Sequence, residues 1–427
     1  MKFSKLAYQS FSWRLWYHLS LFLLTICISR YFHAADSGWF NYIITIGSLL
    51  VLVAGFSLDA AVSYHLSKGT FSLNAVTGFI LTWGIAMGVL ASFVFYLLFR
   101  ESYALTRLLY SSSLYIAGSI LITIFQSVFY ARHDFRLPHL VAVIFNLVLT
   151  LLLLAMFYME KRISIIAFFQ LYALCSFAQA IIFFSILARR EKINPFQWVK
   201  WQYIKDLFKY ASLVFAGNLL FFLVYRIDYF FVNRYCDPTE LGNYIQVSKI
   251  VQVFLIIPGS MASIIFPAMA RGDNAMAGRM MQLSRLMVSA FAFVLLLLAI
   301  TGQWLFPFVF GASFDNMYEP FLWLIPGIIC LTVIALLGAY FSGRDMARIN
   351  LTGAVVALAF MITADMILIP VFHIRGAAIA CSISYAAFLV YLLCMFKKHE
   401  QLPLRDFFVS SRKDWQYILS YLSILPK

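Results

Sequence analysis

The sequence predicts an all-α integral membrane protein of about 12 transmembrane helices in two parallel six-helix lobes. Three observations predict it. The 427-residue chain is 63% hydrophobic and only 12% charged, about half the roughly 25% charged residues of a soluble domain. Apolar runs of about 20 residues, long enough to cross a hydrocarbon core, recur along the whole chain between short charged segments. The pattern of the first half is also echoed in the second at a fixed offset. A chain this apolar cannot cover itself with polar surface, so its solvent is lipid and a soluble fold is excluded.

The spans fall at roughly 13–31, 40–60, 74–99, 108–130, 138–158, 163–188, 209–233, 241–267, 283–305, 319–341, 347–369 and 376–396. Lys2 and Lys5 before the apolar stretch Leu15 to Ile28 resemble a signal peptide. The segment Arg30-Tyr31-Phe32-His33-Ala34-Ala35 offers no small-x-small cleavage site, however. The first span is therefore expected to be retained. Residues 1–12 are expected to form an interfacial helix with Phe3, Leu6 and Phe11 towards lipid. Pro258 and Pro326 interrupt spans eight and ten and are expected to kink them.

The net charge of +14 reads as topology rather than as a nucleic-acid surface, because the charges lie in clusters between spans and leave no basic face. With the N-terminus inside, inside segments hold 23 Lys and Arg and outside loops hold 7. By the positive-inside rule both termini are cytoplasmic. Residues 189–208, with Arg189, Arg190, Lys192, Lys200 and Lys205 beside Trp198 and Trp201, form a basic, tryptophan-anchored linker. It divides an N-terminal six-helix lobe (1–188) from a C-terminal one (209–396), which a cytoplasmic tail (397–427) follows.

Enzymatic chemistry finds no support. There is no phosphate-binding GxxxxGK loop, no HExxH zinc motif and no Cys/His cluster in the sequence. The six cysteines (27, 175, 236, 330, 381, 394) are scattered without ligand spacing. No cofactor or metal is expected, and no outside loop is large enough for an extramembrane catalytic domain.

The internal echo sharpens the architecture. Arg30-Tyr31, Asp36, Gly38, Phe40 and Gly55 recur as Arg234-Tyr235, Glu240, Gly242, Tyr244 and Gly259, each 204 positions on. Tyr130-Ala131-x-His133-Asp134 recurs as Phe341-Ser342-x-Arg344-Asp345, offset by 211. Both matches put corresponding residues on the same side of the membrane. The halves are therefore expected to be parallel repeats with a cavity between them.

Span-embedded charges are the candidate functional groups, because a charge at mid-membrane costs about 2.5–3.5 kcal/mol on insertion scales and needs a partner or a wet cavity. Arg226 and Asp228 lie within Tyr225-Arg226-Ile227-Asp228-Tyr229 in span seven and point to opposite helix faces. Reflecting position 228 through a turn centred near 238–239 lands close to Lys249. Asp228 and Lys249 then form either a buried ion pair holding spans seven and eight or part of a cavity that receives an anionic headgroup, and the two readings are compatible. Arg14 and His18 share a face of span one with Thr25. Arg14 either meets an incoming anion at the inner mouth or snorkels to the interface. Arg30 and Arg234, related by the repeat, attract a headgroup at the outer mouth or anchor there. Asp59 near the inner end of span two, and Asp365 near the outer end of span eleven within reach of His373 or Arg375, are helix-end groups or proton carriers. Asp228, Asp59 and His18 are the candidates for charge tuning or coupling.

Four segments resemble the Wzx-type polysaccharide flippases of the multidrug/oligosaccharidyl-lipid/polysaccharide (MOP) exporter superfamily. They are Arg30-Tyr31 with Asp36-Ser37-Gly38-Trp39-Phe40; Asp228-Tyr229-Phe230-Phe231-Val232-Asn233-Arg234-Tyr235 with Leu241-Gly242-Asn243-Tyr244; Phe310-Gly311-Ala312-Ser313-Phe314; and Ile369-Pro370 with Gly376-Ala377-Ala378-Ile379-Ala380. Lipid II flippases are similar but carry two further helices, and MATE-type drug exporters share the fold. The resemblance implies a multi-pass protein of the bacterial cytoplasmic membrane that flips undecaprenyl-diphosphate-linked oligosaccharide repeat units by alternating access. The pathway would be O-antigen, capsule or exopolysaccharide assembly, with a polysaccharide polymerase and chain-length machinery as candidate partners. Arg226, Lys249, Arg14 and Arg30 would then replace the lost hydration of the diphosphate, and Tyr225, Tyr229 and Tyr244 would contact sugars. Two alternatives remain: a MATE-like exporter of small cations, whose site should be net acidic, and a membrane polysaccharide polymerase, which should carry large outside loops.

Overall fold

The computed structural model describes residues 3–99, 109–194, 199–273, 275–400 and 402–409. The side chains of Phe3, Leu6 and Phe11, the linker's Trp198 and tail residues 410–427 lie outside the described residues. Helices account for nearly all of the rest. They are α1 (Phe3–Gly55), α2 (Leu58–Lys68), α3 (Asn74–Phe99), α4 (Leu109–Ala131), α5 (Arg136–Tyr158), α6 (Ile165–Glu191), α7 (Trp201–Tyr235), α8 (Pro238–Phe254), α9 (Ile256–Ala270), α10 (Ala275–Phe310), α11 (Tyr318–Gly343) and α12 (Ala347–His399). The chain forms two compact units, Met1–Phe222 and Leu223–Lys427. The boundary falls inside α7.

Among the described residues, ten helical stretches are long and apolar enough to cross a membrane. Two of them, α1 and α12, have 53 residues each, which is ~80 Å if straight against a core of ~30 Å. Each is broken by a single histidine outside helical φ/ψ, His33 (φ 60°) and His373 (φ 52°). Beyond His373 the chain doubles back. Ser384 Oγ donates to the Ala357 carbonyl at 2.7 Å, Gly353 faces the ring of Phe388, and Gly376 faces the backbone of Leu368. Counting both double-length helices as two spans, and α8 with α9 as one, gives the expected twelve.

The breaks also repeat. Glu160 and His373, and His133 and Asp345, share left-handed φ values between 52° and 61° at corresponding turns of the two units. The second pair is 212 apart, so the structural register of that turn is one residue longer than the sequence echo at 211. The prolines behave differently from each other. Span eight breaks between α8 and α9 at Leu255, and Pro258 sits in the first turn of α9, where its missing N–H costs nothing. Pro326 lies within α11, which runs through it with no residue outside helical φ/ψ.

The exterior of both units carries large apolar side chains, among them Val89, Leu151, Phe308 and Val390, each more than half exposed. In water that surface would aggregate; in a bilayer it faces acyl chains. Between helices, where lipid offers no hydrophobic driving force, small residues permit close backbone approach. A Cβ at Gly118 of α4 would lie 2.9 Å from the Phe177 N and Cα of α6. Gly118→Leu is therefore expected to lose about 1–3 kcal/mol or more through overpacking, read as a lowered unfolding temperature of the purified chain in detergent.

Candidate functional site

The second unit gathers its span-embedded charges on α7, α8 and α12. Arg226 and Tyr229, three residues apart on α7, occupy one face. The Arg226 guanidinium lies over the Tyr229 ring, 5.0 Å from its centroid, and donates to the Tyr229 hydroxyl. Its other branch reaches the Gln252 Oε1 on α8 at 2.9 Å. Lys249, half-buried on α8, is close enough for the two cations to act on each other. Half-buried like charges side by side favour an anion or water between them.

Asp228, 2% exposed, does not pair with Lys249. Its carboxylate accepts from the Tyr244 hydroxyl at 2.5 Å, from the Tyr229 backbone N–H at 3.0 Å and from the Cys381 thiol at 3.5 Å. The correction has a geometric cause. The turn is centred at Cys236–Asp237, where α7 ends and Asp237 caps α8 in a capping box with Glu240, about two residues before the expected centre. Reflection through that point carries 228 to 245, next to Tyr244, rather than to 249.

Asp365, on the first arm of α12, is fully buried, and neither of its carboxylate oxygens has a hydrogen-bond partner among the described residues. It is not a helix-end group bonded to His373 or Arg375. His373 bonds Glu240 at 3.0 Å and Arg375 pairs with Glu319 at 2.6 Å. Asp365 instead lies within electrostatic reach of Asp228 and Cys381. Two layers result: the cations Arg226 and Lys249 in a half-buried layer, and the carboxylates Asp228 and Asp365 in a dry one. A second negative charge in this dry layer would be uncompensated, and an uncompensated buried charge is expensive. A proton or a monovalent cation relieves that arrangement.

The repeat shows that the fold itself does not require these residues. Shifted by 204 positions, Asp228 and Tyr244 become Leu24 and Phe40, both buried, while Arg226, Lys249 and Gln252 become Phe22, Thr45 and Ser48. The first unit carries uncharged side chains at all five positions.

The other predicted residues are placed as follows. Tyr225 is 36% exposed and tilts against Tyr385, with ring centroids 6.2 Å apart. Tyr229 and Tyr244 are fully buried with their hydroxyls committed to Arg226 and Asp228, so neither offers a ring to a sugar in this structure. Arg14 and His18 belong to a cluster at one end of the first unit with Tyr17, Tyr130 and His139. The Tyr17 ring lies 5.2 Å from His18 and 5.7 Å from His139, and Arg14 and His18 both act on His139. Arg30 lines a cavity of about 550 Å³ with Tyr31, His33, Asp36, Lys161 and Arg162. The cavity is held in shape by the Tyr31 hydroxyl, which donates to the Lys161 carbonyl at 2.7 Å and accepts from the Ile163 N–H at 3.0 Å. Asp59 is half-buried in the first turn of α2, where the helix dipole favours an acid. Sequence reasoning missed Gln252 and Cys381 as partners and His139 beside His18. No local signal marks any of them, since each is recruited across helices.

Residues 15–273 match the model of a family described as polysaccharide biosynthesis protein. The chain belongs to this family. No curated protein sequence matches it. Among solved structures, it is similar to the lipid II flippase MurJ in an inward closed conformation (TM-score 0.73, 14% identity, 98% of this chain and 93% of that one). It is also similar to the Vibrio cholerae MATE transporter VcmN in its bent form (TM-score 0.59, 14% identity, 95% and 98%) and to a MOP superfamily transporter from Pyrococcus furiosus with a binding pocket of reverse polarity (TM-score 0.61, 12% identity, 92% and 94%). At these identities the likeness concerns the fold alone.

Proposed function

We propose that this polysaccharide-biosynthesis family member is a flippase that moves polyprenyl-diphosphate-linked oligosaccharide repeat units from the inner to the outer leaflet of a bacterial cytoplasmic membrane, with both termini cytoplasmic. The observation that carries the reading is the Arg226–Lys249 pair, held half-buried within membrane spans of a chain whose family belongs to polysaccharide synthesis. A doubly anionic, sugar-bearing headgroup cannot cross hydrocarbon unaided. In this reading Arg226 and Lys249, aided by Arg14 and Arg30 at the two mouths, replace its hydration while the polyprenyl tail stays in lipid. Tyr225, the most exposed of the three predicted tyrosines, contacts sugar. The lipid II substrate of MurJ is a lipid-linked cargo on the same fold, which supports the class of substrate. We extend the reading to a Wzx-type role in O-antigen, capsule or exopolysaccharide assembly, beside a polymerase and chain-length machinery.

Energy comes from charge. Export of an anion from a negative interior is favoured by about 2.3 kcal/mol per charge per 100 mV. The Asp228–Asp365 layer adds a counter-ion route in which a proton or monovalent cation enters as cargo leaves. A second reading, a MATE-like exporter of small cations, draws on the same acids, but the two cations beside them disfavour cationic cargo.

The test is loss of the gene in its own host. Complete lipid-linked repeat units are expected to accumulate facing the cytoplasm. Their continued arrival on the outer leaflet, or accumulation of outward-facing unpolymerised units, overturns the proposal, and the second outcome indicates a polymerase. In proteoliposomes, Arg226→Gln is expected to slow flipping about tenfold, the equivalent of ~1.4 kcal/mol.

A further inference from the structure

We infer a transition-metal site fitted to Zn²⁺ at Cys236, Glu240 and His373, where the α7–α8 turn meets the break in α12. The Cys236 Sγ, a Glu240 carboxylate oxygen and a His373 ring nitrogen all lie within 4.8 Å of one another, the one such trio among the described residues. Glu240 Oε2 and His373 Nδ1 are 3.0 Å apart. Ligands around a tetrahedral Zn²⁺, with bonds of roughly 2.0–2.3 Å, stand roughly 3.3–3.7 Å from one another. Small rotamer adjustments therefore seat the ion.

Backbone features that have their own reasons to exist aim all three ligands. The Cys236 N–H closes the last turn of α7 on the Val232 carbonyl at 2.9 Å. Glu240 is the fourth residue of the capping box, its Oε2 accepting from the Asp237 N–H at 3.3 Å. His373 is the left-handed residue at which α12 reverses. Its side chain is 53% exposed and that of Glu240 is 21% exposed, so the trio opens towards the aqueous end of the helices and leaves a fourth position for water.

The same place in the first unit is built without the thiol. The residues 204 positions before Cys236 and Glu240 are Phe32 and Asp36, and the left-handed residue matching His373 is Glu160. The turn therefore requires no thiol, and the break matching His373 requires no imidazole. The chemistry selects the ion, because thiolate, imidazole and carboxylate together suit Zn²⁺, whereas Mg²⁺ and Ca²⁺ take oxygen ligands. Binding releases the Cys236 thiol proton to solvent and ties together the ends of α7, α8 and α12.

The experiment uses the full chain purified in detergent. One tightly held Zn²⁺ per chain is expected by elemental analysis after dialysis. Bound Zn²⁺ is expected to protect Cys236 from maleimide alkylation, read at that peptide by mass spectrometry on the unmodified sequence. Co²⁺ in its place should show a thiolate-to-metal charge-transfer band that Cys236→Ser abolishes, and His373→Ala should weaken Zn²⁺ binding at least about tenfold. Alkylation of Cys236 indifferent to Zn²⁺, or a band that survives Cys236→Ser, overturns the site. The alkylation readout stands even where a variant fails to fold. Neither result bears on flipping, which the inference does not assume.

Discussion

Asp228→Asn is expected to cut the initial rate of flipping in proteoliposomes about tenfold or more while the protein stays folded. The amide keeps the shape of the carboxylate: its oxygen can still accept from the Tyr229 N–H, which Asp228 Oδ1 engages at 3.0 Å, and its NH2, standing where Asp228 Oδ2 takes the Tyr244 hydroxyl at 2.5 Å, donates to that hydroxyl instead. What it removes is the negative charge that Arg226 and the counter-ion layer both feel. Stability is expected to drop by only about 1 kcal/mol, the difference between a charged and a neutral hydrogen bond. Tyr244→Phe does the reverse. It preserves the charge, deletes the shortest donor, and should lower stability by about 1.5–3 kcal/mol, seen as an earlier thermal transition in detergent. If Asp228→Asn flips at the unmodified rate, the carboxylate is a packing element and the counter-ion route is gone.

Gly376→Val is expected to abolish the folded second unit. A Cβ at position 376 would overlap the Leu368 carbonyl oxygen, sit 2.5 Å from its carbonyl carbon, and lie 3.0 Å from the Ile369 N. These are backbone atoms of the opposing arm of α12 and cannot rotate away as a side chain can. Separating the arms also breaks the Ser384–Ala357 hydrogen bond and the fit of Phe388 against Gly353. The expected cost is about 3 kcal/mol or more, at or beyond the upper end of overpacking, read as loss of monodisperse protein on extraction. Gly259→Ala is the matched control. Nothing lies within 4 Å of its added carbon, and the gain in helix propensity is up to about 1 kcal/mol, so the variant should be as stable as the parent or more so. Equal behaviour of the two variants would show that the α12 reversal tolerates separation.

The glycines show how much the sequence could say. Gly55 and Gly259 drew attention as a repeated pair, yet the first has only side-chain atoms of Ile120 at ordinary contact distance and the second faces open space. Gly376 stood in the motif that carried the family resemblance, and the reason for a glycine there is a backbone 8 residues back that only the folded hairpin brings alongside. Pro326 is similar. Its type marks where the helix loses a backbone N–H, but only the structure shows that α11 continues through it with its residues in helical φ/ψ, as membrane helices can when neighbours re-satisfy the freed carbonyl.

By itself the sequence determined that lipid is the solvent, where the spans run, that the chain is a repeat, and that Arg226, Asp228 and Lys249 are embedded in spans. Those properties are local or periodic: hydropathy summed over 20 residues, charge placement relative to it, and identity at a fixed offset. The tertiary structure alone decided which group each charge meets. Partnership across antiparallel helices depends on where the turn between them lies, and every residue by which that turn shifts moves the partner by two. A turn about two residues early therefore moved the facing position from 249 to about 245, and the neighbouring Tyr244 became the partner of Asp228. Asp365 and Cys381, 137 and 153 positions further along the chain, joined the same buried layer because α12 folds back on itself at His373. No pattern within one span encodes that meeting.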